Sequence, residues 1–219
     1  MKCNIIEYPN EKMWEIFGHR FSSLLNSERI HSMALCGGRI IKPLAESLCR
    51  KKIEIKNMEI FLTDERLTAT ISELNYVNVK NDFINYANDQ GLLEDTVFYN
   101  PWKSGNFDFD MSVPPLDLAI LSSGEDGHFA SVFPGSNFKV NNKYHKVIDA
   151  PKPPSERATL SAEMIFSSKH VMLFFVGESK LNAFRKFSDS DSDYNFPDFP
   201  VGLFRDHPNC TVFSSCIEV

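Results

Sequence analysis

Residues 116–128 read LDLAILSSGEDGH, an apolar run that leads directly into a charged loop framed by two glycines. An apolar run that ends at a glycine turn is typical of a buried strand and the loop at its carboxyl end. We therefore predict a strand over residues 116–121. His128 closes the loop, where it can either contact a ligand and transfer protons near neutral pH or serve as a structural histidine bonded to backbone.

Units of the same kind lie on either side of this one. The chain reads SMALC at 32–36 before two glycines, MEIFL at 58–62 before a polar TDER, and VMLFFV at 171–176 before another glycine. The last run has no polar alternation and therefore fits a central strand that is buried on both faces. Apolar spacing and turn residues further predict helices over 11–29, 43–49, 74–87 and 178–187, a surface loop over 188–200 and a last strand over 210–215.

Strands that alternate with helical segments predict the α/β class, with a mostly parallel sheet covered by helices on both faces. We expect residues 1–219 to form a single domain, because α/β domains commonly reach this length. Ligands of such sheets bind beyond the carboxyl ends of the strands, where the polar loops named above lie. The sequence therefore predicts a site built from these loops.

Composition narrows the classes of partner. The net charge of −6 argues against nucleic acid or an anionic membrane surface as the main partner, and leaves room for a small anion bound by a local group of cations. The five cysteines are scattered and form no C-x-x-C pair, which favours free thiols in a reducing compartment over a zinc site or a disulfide framework. We expect a cytoplasmic protein, because no apolar leader or membrane-spanning run is present in the sequence.

The turn at residues 36–39 reads CGGR and is a candidate phosphate site. Backbone N–H groups of Gly37 and Gly38 can approach an anion closely, and Arg39 adds a cation where a helix is predicted to begin. Two glycines after a strand are equally common in a simple tight turn.

Other charged residues are candidates with an ordinary alternative. Asp64 and Arg66 flank Glu65 at a strand end, where they can orient a sugar or form an internal ion pair in a solvated loop. Arg157 and Lys180 are surface cations by default, and with Arg39 and Arg66 they would supply the positive charge that an anionic substrate needs. No G-x-S-x-G pattern suggests a serine nucleophile.

Residues 121–135, LSSGEDGHFASVFPG, closely resemble the signature loop of the 6-phosphogluconolactonases, which carry G-x-D-G-H followed by an A-S-L-F-P-G-like run. The DER at 64–66 with Asn75 downstream, the RATL at 157–160 and the GESK at 177–180 resemble further blocks of that family. The blocks occur in family order from about Ala34 to Ser215, so the resemblance covers nearly the whole chain.

The resemblance implies a three-layer Rossmann-like fold, shared with glucosamine-6-phosphate deaminases and ribose-5-phosphate isomerases. It implies hydrolysis of 6-phosphogluconolactone to 6-phosphogluconate, the second step of the oxidative pentose phosphate pathway, without metal or nucleotide. We expect the partner to be a small phosphorylated lactone, and the protein to be a monomer or a weak homodimer.

The resemblance also assigns roles to individual residues. His128 would be the general base or acid, supported by Asp126, and Arg66 would orient or polarise the lactone. Gly37, Gly38, Arg157 and Lys180 would hold the phosphate. Arg39 and Asp64 are further candidates for substrate binding on the grounds of their own charge and position.

One turn departs from the family pattern. The family usually has S-G-G-S-T-P where this chain has CGGRII at 36–41, so Arg39 and two isoleucines replace hydroxyl groups. Arg39 can compensate with a bidentate contact, or it can point to solvent and leave a weakened phosphate site.

Two alternatives follow from the same residues. A non-catalytic sugar-phosphate sensor would explain the altered turn. A deaminase or isomerase of the glucosamine-6-phosphate type usually has D-G-H-I-A-F-N-E-P-G in the histidine loop, and residues 131–134 here supply no carboxylate.

Overall fold

The structure is a computed structural model that describes residues 2–136, 144–189 and 197–216. Its strands are β1 (Asn4–Glu7), β2 (Ser32–Leu35), β3 (Ile55–Lys56), β4 (Glu59–Leu62), β5 (Asp64–Arg66), β6 (Leu93–Glu94), β7 (Val97–Phe98), β8 (Trp102–Lys103), β9 (Asn106–Phe107), β10 (Leu118–Ser122), β11 (Tyr144–Val147), β12 (Arg157–Leu160), β13 (His170–Val176) and β14 (Cys210–Ser215). Its α-helices are α1 (Asn10–Ser27), α2 (Ile41–Arg50), α3 (Asn75–Val79), α4 (Tyr86–Asp89), α5 (Ala162–Phe166) and α6 (Leu181–Ser188).

Seven strands form a parallel sheet in the order β1-β14-β13-β10-β2-β4-β7. The apolar strand β13 lies between β14 and β10, as its lack of polar alternation predicts. From β2 the chain proceeds outward to β4, and from β10 it proceeds in the opposite direction to β13 and β14. The strand order therefore reverses between β2 and β10, which is where open α/β sheets bind ligands.

Helices cover both faces of this sheet. On one face α1 and α2 pack on strand residues such as Leu35 and Phe174, and Trp14 of α1 stacks on Phe174 with ring centroids 5.1 Å apart. On the other face α5, α6 and a 3₁₀ helix at Pro200–Asp206 pack on alternate strand residues such as Ala34 and Phe175. The predicted α/β architecture with three layers is confirmed.

Most predicted elements are present, with shifted ends. Helix α2 begins at Ile41 instead of Pro43, because Ile40 and Ile41 are buried in the core and the N–H of Ile41 already bonds the carbonyl of Gly38. The helix predicted over 74–87 spans α3, a π-helical segment at Lys80–Asn85 and α4. The surface loop predicted over 188–200 falls largely at residues 190–196, which lie outside the described residues.

The polar exit predicted at residues 63–66 was wrong. Asp64–Arg66 is strand β5, the outer strand of a small antiparallel sheet with β12 and β11. Asp64 and Glu65 are buried, because hydrogen bonds from neighbouring groups satisfy both carboxylates. Within the described ranges, no helix has both the length and the apolar character needed to cross a membrane.

Candidate active site

A cavity of about 360 Å³ opens at the carboxyl ends of β2, β10 and β13. Eight of the nine predicted site residues line it, namely Gly37, Gly38, Arg39, Asp64, Arg66, His128, Arg157 and Lys180. The ninth, Asp126, contacts His128 behind the cavity wall. The structure thus brings together residues that the sequence spreads over more than half of the chain.

His128 and Asp126 form a close pair. The Nδ1 atom of His128 lies 2.5 Å from Oδ1 of Asp126, which also accepts the backbone N–H of His128 at 3.2 Å. Burial would raise the pKa of Asp126, but the hydrogen bond and charge of His128 outweigh it and lower that pKa to about 2. The carboxylate therefore holds Nδ1 and leaves Nε2 as the nitrogen that can reach a ligand.

Two glycines of this loop leave no room for a side chain, one beside the pair and one beside the core. A Cβ atom at Gly124 would lie 2.0 Å from Nδ1 of His128 and 2.5 Å from Oδ1 of Asp126. Gly127 has φ +83°, and a Cβ atom there would lie 2.3 Å from the ring of Phe199. Only glycine fits either position without moving the histidine or the core beneath it.

The candidate phosphate turn is built differently. At Gly37 a Cβ atom would lie 2.2 Å from Oδ1 of Asn75, whose Nδ2 donates to the carbonyl of Asp64 at 3.0 Å. At Gly38 φ is +91°, and none of the other residues that the structure describes lies within 4 Å of a Cβ position. Arg39 is exposed at the cavity rim, so its guanidinium is available to an anion.

Glu65 anchors one side of the site from within the core. Its Oε1 accepts the backbone N–H groups of Arg66 and Asn75, both at 2.6 Å. Its Oε2 accepts the backbone N–H of Tyr76 at 2.8 Å and the indole N–H of Trp102 at 3.2 Å. Burial raises the pKa of Glu65, and these four hydrogen bonds act in the opposite direction. The carboxyl group therefore ties strand β5, the start of α3 and the β8–β9 hairpin together.

The two other charged residues of β5, Asp64 and Arg66, differ in how many of their polar atoms already form hydrogen bonds. Asp64 accepts the hydroxyls of Ser131 at 2.7 Å and Thr63 at 3.2 Å, so both of its oxygens already have partners. Arg66 donates from Nη1 to the carbonyl of Glu73 at 3.3 Å, and its buried Nε has no partner among the described residues. Arg66 therefore has more free hydrogen-bonding capacity than Asp64.

Arg157 is 7% exposed and extends from β12 under a loop. Its Nε donates to the carbonyl of Pro154 at 2.7 Å, and its Nη2 donates to those of Lys152 and Pro153, both at 3.1 Å. Burial lowers the pKa of Arg157. The negative charge of Asp64 raises this pKa, and the positive charge of Arg66 lowers it. One part of its guanidinium thus shapes the loop, and the rest faces the cavity.

Sequence reasoning missed two charged residues of the site. Lys152 and Glu125 line the cavity and form an ion pair with each other. Burial lowers the pKa of Lys180, and the charge of Lys152 lowers it further. The only sequence signal for Lys152 is its place among Pro151, Pro153 and Pro154, which restrict the backbone but say nothing about where a side chain points.

Thiol chemistry and metal binding depend on the cysteine, histidine and acidic side chains around the cavity. Cys36 lines the cavity, but burial raises the pKa of its thiol so that it stays protonated. In the three described stretches, no cluster of three or more histidine, cysteine or acidic side chains is arranged to bind a metal ion. The arrangement can orient a water beside a histidine base and surround an anion with cations.

Comparisons with known proteins agree with this geometry. The profile of the family described as glucosamine-6-phosphate isomerases/6-phosphogluconolactonase matches residues 10–213. A 6-phosphogluconolactonase of Borreliella burgdorferi is 29% identical over 208 residues, which is 89% of this chain and 88% of that protein.

Solved structures share the fold. The 6-phosphogluconolactonase of Thermotoga maritima has a TM-score of 0.73 and 22% identity, with 97% of this chain and 99% of that chain covered. A monomeric glucosamine-6-phosphate deaminase has a TM-score of 0.75 and 17% identity, with 96% of each chain covered. Together with the family match over nearly the whole sequence, these findings show that the chain belongs to the glucosamine-6-phosphate isomerase/6-phosphogluconolactonase family.

Proposed function

We propose that this protein hydrolyses 6-phospho-D-glucono-1,5-lactone to 6-phosphogluconate, the second step of the oxidative pentose phosphate pathway. The observation that carries the proposal is the His128–Asp126 pair, which lies at a cavity lined by five cations. These cations are Arg39, Arg66, Lys152, Arg157 and Lys180. A base beside a local excess of positive charge suits an ester that carries a phosphate.

Hydrolysis proceeds from the free nitrogen of the histidine. Nε2 of His128 takes a proton from a water molecule while the oxygen of that water attacks the carbonyl carbon of the lactone. Asp126 stabilises the imidazolium that forms on His128. Arg66 donates to the carbonyl oxygen as negative charge develops on it. When the intermediate collapses, the bond between C1 and the ring oxygen breaks, and that oxygen takes the proton from His128.

The phosphate lies at the other end of the substrate. Backbone N–H groups of Gly37 and Gly38 approach its oxygens, and Lys180, Arg157 and Arg39 neutralise its charge. This assignment uses the open side of the turn, where no other described residue lies within 4 Å of a Cβ position at Gly38.

A deaminase remains the closest alternative within the family, since the fold is equally similar to a solved deaminase. The stretch FASVFP at 129–134 contains no carboxylate to act in a proton relay with His128. Ser131, which stands in that stretch, donates its hydroxyl to Asp64 and so braces β5 instead. These contacts favour ester hydrolysis over isomerisation.

We also propose that the enzyme is cytoplasmic and works as a monomer or a weak homodimer on a small phosphorylated lactone. All five cysteines lie in described parts of the chain and are free thiols, which suits a reducing compartment.

The test is lactone hydrolysis by the purified protein. The phosphorylated lactone is generated in situ, spontaneous ring opening is subtracted and a chelator is present throughout. We expect acceleration that survives the chelator. Glucosamine 6-phosphate is assayed in parallel, and release of ammonia without lactone hydrolysis would assign the deaminase reaction instead. Binding of sugar phosphates without either reaction would assign a sensor.

A further inference from the structure

We propose that Lys152 is a phosphate-binding residue of this site, and that Glu125 pairs with it until the phosphate binds and replaces the carboxylate. This inference rests on the proposed lactonase function. It adds to the site a cation that the sequence did not reveal and a carboxylate that competes with the substrate for it.

The two side chains meet across the cavity rim. Nζ of Lys152 donates to Oε1 of Glu125, and both residues line the cavity. Their side chains are 48% and 49% exposed, so neither is locked in place by packing. Exposed pairs of this kind contribute little to stability, which means that the pair can open easily.

The charges around Lys180 place this pair beside the predicted phosphate. The pKa of Lys180 is shifted by the charges of four nearby side chains, which are Lys152, Glu125, Asp126 and Arg39. Asp126 is committed to His128, and Glu125 is committed to Lys152. A phosphate that binds Lys180 therefore comes within the range of Lys152, and its oxygens can replace the single oxygen of Glu125.

The backbone of Lys152 is positioned for this exchange. Arg157 donates to the carbonyls of Lys152, Pro153 and Pro154, and the N–H of Ala150 bonds the carbonyl of Ser155 across the same loop. The loop is held at its base while the lysine side chain stays free to turn. Arg157 thus acts on the phosphate partly as a positioning residue for Lys152.

Glu125 has the opposite effect on binding. It places a negative charge at the mouth of a cavity that must admit a dianion, and its pKa is lowered first by the hydrogen bond and charge of Lys152. The carboxylate is therefore ionised while it pairs with Lys152. Its removal should strengthen phosphate binding, because Lys152 then has no competing partner.

The experiment measures KM for the phosphorylated lactone, kcat, and the inhibition constant of inorganic phosphate. Lys152→Met should raise KM and the phosphate inhibition constant about 5–20-fold, the effect of losing one charge-assisted hydrogen bond, with kcat within about twofold. Lys146→Met is the matched control, because Lys146 pairs with Glu156 at nearly the same exposure, 47% and 49%, but does not line this cavity. It should change neither constant.

Glu125→Gln tests the holding role. Alone it should lower both constants about 2–5-fold, and in the Lys152→Met background most of this gain should be lost, because only the removal of the Glu125 charge remains and there is no lysine left to release. A gain of the same size in the double variant would show that Glu125 acts only through its charge and would overturn the exchange.

The outcomes separate this inference from the lactonase proposal. Unchanged KM and phosphate inhibition in Lys152→Met, with hydrolysis intact, would overturn the inference and leave the lactonase standing. If the wild-type protein hydrolyses no lactone, direct calorimetric binding of inorganic phosphate to the wild type and to Lys152→Met still decides whether Lys152 binds phosphate.

Discussion

The Gly37–Gly38 turn and the Gly124–Gly127 loop border the same cavity and use glycine for different reasons. In the histidine loop both glycines face the protein's own side chains, since Gly124 lies under His128 and Gly127 lies against Phe199. In the phosphate turn only Gly37 is covered by a side chain, that of Asn75, and Gly38 faces open space.

The difference indicates which part of the site is set by packing and which part is left for a ligand. Side chains pack against both glycines of the histidine loop, so the fold itself sets the orientation of the His128 ring. The phosphate turn is closed on one side and open on the other. Substitutions in the first region should therefore act mainly on stability and on kcat, and those at the open side mainly on KM.

The largest effect is expected at the closed loop. His128→Ala should lower kcat about 10²–10⁴-fold, because the base that activates water is lost. His19→Ala, at an exposed histidine of α1, serves as the control and should leave kcat unchanged. The measurement is steady-state hydrolysis of the phosphorylated lactone, and an unaltered kcat in His128→Ala would refute the catalytic role.

The next prediction contrasts the two glycines with positive φ. Gly127→Ala should lower the free energy of unfolding by about 2–4 kcal/mol, because the strained backbone adds to a collision with Phe199. Gly38→Ala should lower it by only about 1–2 kcal/mol, since the backbone strain acts alone. Urea unfolding of both variants measures the difference, and equal losses would mean that packing does not distinguish the two regions. Gly38→Ala should also raise KM more than Gly127→Ala.

The covered side of the phosphate turn can be tested by a double-variant cycle. Gly37→Ala should lower the free energy of unfolding by about 1–3 kcal/mol, because its new methyl group meets the amide of Asn75. In the Asn75→Ala background the same change should lower it by less, because the amide is gone and only the Cβ atom of residue 75, 2.9 Å away, is still in the way. If the two losses add without coupling, the contact between these residues does not explain the glycine.

The smallest effect concerns the carboxylate of the closed loop. The pKa of Asp126 is about 2 in the folded protein and lies near 3.8 when the group is unperturbed, so the unfolded chain takes up the proton first as pH falls. Its stabilising contribution should be fully present above about pH 4 and decline toward pH 2. The stability difference between wild type and Asp126→Asn should shrink over that range. We expect about 1–2 kcal/mol, because solvent screens part of the roughly 2 kcal/mol that the pKa shift represents. A difference that is constant with pH would contradict the prediction.

Apolar runs predicted five of the seven strands of the main sheet, and the short edge strands β1 and β7 and the charged strand β5 were not predicted. The run at 171–176 is unambiguous, and β13 at His170–Val176 follows it closely. Strand β5 was missed because Asp64, Glu65 and Arg66 look like solvent-exposed residues. Their burial depends on hydrogen bonds from distant parts of the chain, such as Tyr76 and Ser131, which no local pattern reveals.

The site shows the same limit. Residues within family-like motifs could be identified in advance, and the structure brings them to one cavity. Lys152 and Glu125 could not be paired from sequence, because 27 positions separate them and each is an ordinary surface charge by itself. The departure at residues 39–41 was visible, but its packing was not. Ile40 and Ile41 are buried in the core, where Ile40 also lines the cavity, and Arg39 is exposed at the rim.

The four hydrogen bonds at Glu65 have a consequence for affinity. They fix the backbone of Arg66 and Asn75 when the chain folds, well before any ligand is present. The conformational entropy of ordering these groups is therefore lost in folding and does not weaken binding. A residue that lies outside the cavity lining thus preorganises the site, and a ligand meets a rim that needs no rearrangement on this side.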